Sequence, residues 1–193
     1  MKKINPVNYL ILLTLLLFGV AFAQGAMQAV PKDKIDIKFI SKQMNVPVEG
    51  KFKNATGQIA FDPNNPQQSK AQFEIDLNSI DLGLPDIETE VKKSAWFDTG
   101  KHPKATFVSS DIKPLGQNKF EAKGKLTIKG ITKDVIAPVL ISQKSGNASE
   151  ASGSLTIKRL DFKIGEGIWS DTETVANEVQ IKFAFPLPAS KSK

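Results

Sequence analysis

The sequence predicts an all-β protein, an antiparallel barrel or an antiparallel sandwich, with eight or nine strands and one short helix. The first observation is that apolar and polar residues alternate with a period of two in one short segment after another. The second is that turn-forming residues separate these segments at short intervals. The third is that most segments have one apolar face and one polar face, which is typical of antiparallel strands that cover an interior.

The first 23 residues have the three parts of a secretory signal peptide. Lys2 and Lys3 precede an apolar run over residues 9–22, and Ala21-Phe22-Ala23 is a small-x-small cleavage site. The apolar run is shorter than the ~20 residues of a membrane-spanning helix. We therefore expect export, cleavage after Ala23 and a mature chain of one β-barrel domain over residues 24–193.

Composition excludes several classes of site. The 193 residues include no cysteine, so burial has to stabilise the exported domain without disulfides. The formal net charge is +6, but basic and acidic residues interleave, as where Glu121 lies between Lys119 and Lys123. Such interleaving is typical of a solvated face rather than of a nucleic-acid-binding stripe, so we expect no nucleic-acid partner. The basic excess is compatible with transient contact with an anionic membrane surface.

The alternating segments follow one another along almost the whole chain after a loose lead-in at residues 24–31. In QFEIDL, for example, Phe73, Ile75 and Leu77 share one face. The residues at 62–66, DPNNP, form a strong turn signal because proline fixes φ and asparagine tolerates a left-handed conformation. The predicted strands are 35–39, 46–52, 56–61, 72–77, 105–112, 119–129, 131–144, 152–159 and 179–185.

Residues 124–141, GKLTIKGITKDVIAPVLI, contain two predicted strands that Gly130 separates. The second of these strands is apolar on both faces from Val135 to Ile141. Since a strand with two apolar faces needs cover on both, we expect the helix or a second subunit to cover the outer face. The second alternative predicts a homodimer.

One segment, residues 85–97, has a helical pattern. Pro85 begins it, acidic residues fill its early turns and Lys92 and Lys93 its later ones, in agreement with the helix dipole. Ile87 and Val91 are one turn apart and form an apolar stripe.

The sequence offers little that could support catalysis or metal binding. His102 is the only histidine and precedes a proline in a loop, without a nucleophile motif elsewhere. Asp161 and Asp171 could act as an acid and base pair, yet nothing in the sequence places them together. We therefore predict no catalytic residues, no metal site and no cofactor, and a protein that is not an enzyme.

Arg159 is the only arginine and shares its strand parity with Leu155 and Ile157, so it points to the apolar side. A guanidinium there needs an anionic or a carbonyl partner. Three alternatives stay open: contact with a ligand head group, an internal ion pair with a carboxylate such as Asp161, or a position at the barrel rim. Trp96, Phe97 and Trp169 either close a pocket at the barrel mouth or pack there.

An ordered series of five motifs covers nearly all of the mature chain. They are GKFKNATGQIAFDPNNP from Gly50, EIDLNSID from Glu74, WFDTGKHPKATFVSSDI from Trp96, GKLTIKGITKDV from Gly124 and GSLTIKRLDFKIG from Gly153. In these motifs the chain resembles the YceI-like family of periplasmic, lipocalin-like polyisoprenoid-binding proteins. The resemblance implies a lipocalin-like antiparallel barrel of about eight strands, a periplasmic location, and binding or carriage of an isoprenoid or similar long-chain amphiphile.

Strand parity then predicts which side chains face the interior of the barrel. The predicted lining of a ligand cavity is Phe73, Ile75, Leu77, Leu126, Ile128, Val139, Ile141, Leu155, Ile157, Ile181 and Phe183. If these side chains leave the interior unfilled, the result is an apolar tube that suits a lipid tail. The alternatives are an exported structural or interaction domain with a filled core, and an unrecognised enzyme that acts on lipids.

Overall fold

The structure is a computed structural model and describes residues 26–145 and 148–188. The predicted signal peptide and its cleavage site lie outside the described residues. The elements, in chain order, are β1 Gln28–Val30, β2 Asp36–Gln43, β3 Val46–Phe52, β4 Ala55–Ala60, β5 Lys70–Asp76, β6 Ile80–Asp81, α1 Pro85–Val91, β7 Lys104–Gly116, β8 Lys119–Ile128, β9 Ile131–Gln143, β10 Ser149–Lys158 and β11 Glu178–Leu187.

These strands form one antiparallel sheet of eleven strands, in the order β1-β4-β5-β7-β8-β9-β10-β11-β2-β3-β6. Its two ends are joined by the chain itself, since only Lys53 and Asn54 separate β3 from β4. The β3 half of this bent segment pairs with β2, and the β4 half pairs with β5. The hydrogen-bonded sheet therefore curls round on itself as a barrel.

In three cases, two consecutive short strands are the halves of one longer, interrupted strand. These pairs are β1 with β2, β3 with β4, and β5 with β6. β1 and β2 both run along the β3–β4 segment on one side, and β5 and β6 both run along it on the other. Counted in this way, the eleven strands are eight long ones, which agrees with the barrel of about eight strands that the sequence predicts. The short strands β1 and β6 were not predicted individually, and β1 occupies part of the segment that the sequence presents as a loose lead-in.

Tight hairpins connect three of the strand pairs. The turns at Met44–Asn45, Gln117–Asn118 and Lys129–Gly130 each place two residues at positive φ. This is the geometry of a type I′ turn, whose twist matches that of the flanking strands. The predicted interruption at Gly130 is therefore a hairpin turn.

The helix begins at Pro85 as predicted but ends at Val91 rather than at Phe97. The carbonyl of Val91 accepts a hydrogen bond from the backbone N–H of Phe97 at 3.0 Å, so the chain wraps back at this point. Asp98 then adopts a left-handed conformation with φ of 50°. The wrap directs Trp96 and Phe97 inward, where both contact the buried core.

The helix does not cover the outer face of β9, which is one of the two covers that the sequence suggested; cover by a second subunit stays a prediction. Ile136 and Leu140 point outward and are exposed, so α1 does not lie over them. β9 pairs with β8 from Ile131 to Leu140, but its pairing with β10 covers only Val139 to Gln143 and stops where Val139 faces Gly153. Pro138, the residue that precedes Val139 in β9, has no N–H group with which to continue the ladder.

Within residues 26–145 and 148–188, no helix has both the length and the apolar character that crossing a bilayer requires.

Candidate functional site

The barrel encloses an elongated cavity of about 330 Å³ whose wall is almost entirely apolar. All eleven residues that strand parity placed in the interior lie on this wall. Ten of them belong to β5, β8, β9, β10 and β11, and Leu77 directly follows β5. That these side chains contact a ligand remains a prediction.

Other wall residues were not predicted. They lie mainly on β2, β3 and β4, on the neighbouring β7, and at the two ends of β11: Ile37, Phe39, Phe52, Ile59, Phe107, Val179 and Phe185. The alternation of Ile35, Ile37 and Phe39 with charged residues carries the same parity signal, so the wall residues of β2 could also have been predicted from the sequence.

Several inward side chains of β9–β11 keep part of their surface accessible although they point into the barrel. Val139, Ile141, Leu155, Ile181 and Phe183 are all intermediate in exposure, while their parity and their place on the wall are those of core residues. These side chains pack against the buried core, but part of each remains uncovered on the cavity wall. The interior beside them is therefore not completely filled.

The length of the cavity follows from the strand that runs along it. The wall residues of β8 extend from Phe120 to Ile128. At ~3.3 Å per residue and a strand tilt of ~40°, this span corresponds to roughly 20 Å along the barrel axis. One leaflet of a bilayer has a hydrocarbon thickness of about 15 Å. The cavity is thus long enough for an extended lipid tail.

Two strand glycines accommodate phenylalanine rings on the cavity wall. Phe39 pairs directly with Gly50, and Phe73 pairs with Gly57. A Cβ atom added at either glycine would lie within 2.4 Å of the ring. Because glycine has no side chain, the ring can lie flat against the neighbouring strand.

The same arrangement recurs on the other side of the barrel. Phe183 pairs with Gly153, and the ring of Phe107 covers Gly124 diagonally. Four rings thus lie against the wall, and the centre of the barrel stays open.

The two ends of the cavity differ. Where β8 begins, Phe61 and Phe120 pack edge to face with ring centroids 5.6 Å apart. At the other end, where β2 meets β3 and α1 lies opposite, the wall includes the exposed residues Lys42, Gln43 and Ile87. We call this second end the mouth.

The charged and hydroxyl- or amide-bearing wall residues lie on β2, on α1 or directly after β10. They are Lys38, Ser41, Lys42, Gln43, Glu90 and Arg159. The cavity is therefore polar towards its mouth and apolar along the rest of its length.

Arg159 is 2% exposed and is held entirely by backbone carbonyl groups. Its Nη1 donates to the carbonyls of Ile164 and Gly165 at 2.8 and 2.9 Å. Its Nη2 donates to those of Trp169 and Val175, both at 2.7 Å.

The Nε of Arg159 donates to the carbonyl of Ala176 at 3.1 Å. A guanidinium has five N–H donors, so all of them are in use. Asp161, which the sequence suggested as an internal partner, is not among the acceptors. A head-group contact by hydrogen bonding stays a prediction, and it requires that one of these carbonyls be released.

Burial lowers the pKa of Arg159 from its ordinary value, and the charge of Asp171 offsets part of that effect. The guanidinium nevertheless stays charged at any physiological pH. Its Cζ atom lies 5.9 Å from the ring centroid of Trp96, within the range of a cation–π contact. The residue therefore places a buried positive charge near the mouth of the cavity.

Three aromatic residues border this region. Trp96, Phe97 and Trp169 all lie on the cavity wall, and the two tryptophan rings are 5.5 Å apart. Nε1 of Trp96 is the one buried side-chain polar atom in the described part of the chain that has no hydrogen-bond partner. The two tryptophan rings therefore pack together on the cavity wall, and that the three residues close the cavity stays a prediction.

The remaining candidate groups do not form a catalytic arrangement in the structure. Asp171 uses its carboxylate within its own loop, where it accepts hydrogen bonds from Thr174 and from the backbone of Glu173. These bonds, led by that from Thr174, lower the pKa of Asp171. Among residues 26–145 and 148–188, no three potential metal ligands lie together.

Comparison with known proteins gives related proteins and structures. A family model described as the YceI-like domain matches residues 29–187. A UPF0312 protein of Ectopseudomonas mendocina is 30% identical over 135 residues, which are 65% of this chain and 69% of that protein. The chain thus spans about two thirds of that relative's length.

Two solved structures are similar to this chain. The crystal structure of BcnA from Burkholderia cenocepacia matches with a TM-score of 0.79 and 46% identity, over 82% of this chain and 99% of that one. A polyisoprenoid-binding domain from Saccharophagus degradans matches with a TM-score of 0.65 and 17% identity, over 84% and 98% of the two chains. The second likeness concerns the fold alone. Since the family model covers nearly the whole barrel, from Ala29 in β1 to the end of β11, the chain belongs to the YceI-like family.

Proposed function

We propose that the protein is an exported carrier that holds an isoprenoid-like or other long-chain amphiphilic lipid in its cavity. The observation that supports this most directly is the unfilled apolar interior, roughly 20 Å long, whose polar groups are restricted to one end. Such a site fits a molecule with one long apolar part and one polar end.

The energetics agree with this chemistry. Each buried CH₂ group contributes ~0.8 kcal/mol, so a tail that buries ten of them gains about 8 kcal/mol before the costs of ordering it. If a longer tail offsets those costs, a net gain of about 8 kcal/mol corresponds to a dissociation constant of about 1 μM. Affinity can thus come almost entirely from the tail, with little need for a specific polar contact.

The distribution of polar groups gives the ligand an orientation. We place the tail between the ring pair of Phe61 and Phe120 and the middle of the barrel, and the polar end beside Ser41 and Gln43 at the mouth. The buried charge of Arg159 is near the same end and favours a polar end that is neutral or anionic.

The family and the fold support a binding role rather than catalysis. The Saccharophagus degradans domain, which shares the fold, is described as polyisoprenoid-binding. The open interior argues against a structural domain with a filled core, and no specific observation favours an enzyme that acts on lipids.

The proposal is tested by extracting the purified protein with organic solvent and identifying the extract by mass spectrometry. We expect one class of long-chain amphiphile in near-stoichiometric amount. A protein that yields no lipid, and that does not bind a prenyl alcohol added to it, would refute the proposal.

A pair of variants tests whether the cavity is the site. Ala137 lies on the wall and is buried, whereas its neighbour Ile136 points outward. Ala137→Leu reduces the width of the cavity, so we expect weaker binding of the prenyl alcohol. Ile136→Leu serves as the matched control and should bind it as the wild type does.

We also propose that the chain is exported to the periplasm and cleaved after Ala23. The support is the tripartite pattern of the first 23 residues. N-terminal sequencing of the protein from the periplasm should begin at Gln24. A full-length chain that remains in the membrane would show this proposal to be wrong.

A further inference from the structure

The large apolar side chains that remain exposed are concentrated at the mouth of the cavity. Ten such side chains occur in residues 26–145 and 148–188, with exposed fractions that reach 85%. Half of them belong to three segments that border the mouth. These five, which we call the apolar rim, are Met44, Val46, Leu84, Ile87 and Ile168.

Hydrogen bonds hold two of these segments together, the β2–β3 turn and the loop that contains Ile168. Met44 is in the β2–β3 turn, and its backbone N–H donates to the carbonyl of Thr174 at 2.9 Å. Gln43 forms an isolated β-bridge with Val175. The β2–β3 turn is therefore fixed beside the loop that contains Ile168.

The third segment, α1 and the residues after it, is attached to the same loop. The backbone N–H of Gly165 donates to the carbonyl of Ala95 at 2.8 Å. The ring of Trp96 lies against that of Trp169, the residue next to Ile168. The three segments thus surround a single opening.

The rim is continuous with the cavity. Ile87 belongs to both, since it is 47% exposed and also lies on the cavity wall. Lys42 and Gln43, which precede the β2–β3 turn, lie on the wall as well. A lipid that enters here passes from the rim to the apolar interior.

Charges near the rim are mixed in sign. Lys93 forms an ion pair with Glu90. Glu88 accepts a hydrogen bond from the backbone of Leu82, and Lys42 lies opposite on β2. The region around the mouth therefore has no dominant basic patch that would select an anionic surface.

We propose that the apolar rim inserts into the surface of a lipid bilayer and places the mouth of the cavity against the acyl chains. This inference rests on the proposed carrier function, because a tail that fills the cavity is insoluble in water and has to be exchanged with a membrane. Aliphatic side chains at the tips of three adjacent segments can enter the acyl layer without unfolding the barrel. Since the apolar contact supplies the attraction, docking does not require anionic lipid.

The test measures binding of the protein, purified from cells that express the full chain, to sedimented vesicles. One set of vesicles contains phosphatidylcholine alone, and the other contains equal amounts of phosphatidylcholine and phosphatidylglycerol. The rim variant is Met44→Asn combined with Ile168→Ser; asparagine tolerates the left-handed conformation at position 44. The matched control combines Leu115→Ser and Ile136→Ser, which remove exposed side chains far from the mouth.

We expect the wild type and the control to bind both kinds of vesicle about equally and with little dependence on salt. The rim variant should bind about tenfold more weakly for each side chain removed, since each loses most of its buried aliphatic surface. Equal losses in the rim variant and the control would overturn the inference. So would binding that needs phosphatidylglycerol and disappears at high salt, or a wild type that binds no vesicles because the rim is buried in a dimer.

A parallel titration with the prenyl alcohol geranylgeraniol, followed by the fluorescence of Trp96 and Trp169, separates the two proposals. Binding of the alcohol without binding to vesicles means that the carrier function stands and the docking inference fails. Binding to vesicles through the rim without binding of the alcohol means that docking stands and the carrier function fails. The rim variant should retain the affinity of the wild type for the alcohol within about threefold, because neither substituted residue lies on the cavity wall.

Discussion

Replacing Arg159 by leucine removes the five hydrogen bonds that connect the end of β10 to the two loops at the mouth. Three of these bonds, to the carbonyls of Ile164, Gly165 and Val175, are fully buried. A buried acceptor that loses its donor costs about 1–3 kcal/mol, and such costs are not fully additive. We therefore expect Arg159→Leu to lower the free energy of unfolding by about 3–5 kcal/mol.

The measurement is guanidinium-induced unfolding followed by the fluorescence of Trp96, whose ring faces Arg159, and of Trp169, whose ring packs against that of Trp96. Arg159→Lys is the second variant, because it keeps the charge but cannot reach carbonyls in so many directions. It should lose nearly as much stability as the leucine variant. If the charge alone mattered, the lysine variant would instead be close to wild type.

Two results would refute this reasoning. One is a leucine variant whose free energy of unfolding stays within about 0.5 kcal/mol of the wild type, the range of a surface substitution. The other is unchanged stability combined with a loss of lipid affinity, which would assign Arg159 to a ligand head group.

Three further predictions concern other parts of the barrel. Gly57→Ala places a Cβ within 2.4 Å of the ring of Phe73, so the ring should move into the cavity. Lipid titration should then show weaker binding. Unchanged affinity would contradict the idea that the glycine makes room for the ring. Lys129→Met should lower the free energy of unfolding by about 2 kcal/mol in denaturant melts. The ammonium group of Lys129, on a side chain only 8% exposed, donates to two backbone carbonyls and to a carboxylate. An unchanged free energy of unfolding would show that water replaces these bonds. Since the pKa of Asp171 is lowered in the fold, its contribution to stability is complete above its ordinary value of 3.8 and is lost as the pH falls through the lower value. In thermal melts, Asp171→Asn should thus be less stable than the wild type near neutral pH and should lose less stability on acidification, and parallel curves would contradict the assignment.

The parts of the site that sequence could predict are those set by strand alternation. Leu126 and Ile128 in β8, or Leu155 and Ile157 in β10, face the interior because successive side chains of a strand point to opposite faces. A pleated strand obeys this rule wherever it lies in the barrel, so local sequence is sufficient.

Other features depend on contacts between distant parts of the chain. Ile80 and Asp81 become a strand only because they pair with β3, and two residues carry no alternation to detect. Lys92 to Phe97 contains good helix formers, yet the helix ends before them because Phe97 bonds back to Val91. Tertiary packing decides both cases.

The partners of Arg159 were unpredictable for a different reason. All of its acceptors are backbone carbonyls, and every residue type has this group. The residue types in the sequence therefore do not indicate which carbonyls accept hydrogen bonds from Arg159. The sequence indicated an inward guanidinium that needs a partner, and only the loop conformations at residues 164–169 and 175–176 determine which partners it has.

The closure of the barrel has a consequence for how the protein folds. The ladder between β2 and β11, which pairs Phe39 with Ile181, joins the two ends of the described chain. The strands from β7 to β11 can form consecutive hairpins as they become available, but β2 has no partner on this side until β11 is present. Barrels dominated by such long-range pairings fold slowly, because the entropy of loop closure is lost before the contacts form. We therefore expect the cavity to be the last part of the molecule to assemble, only after the final strand has become available.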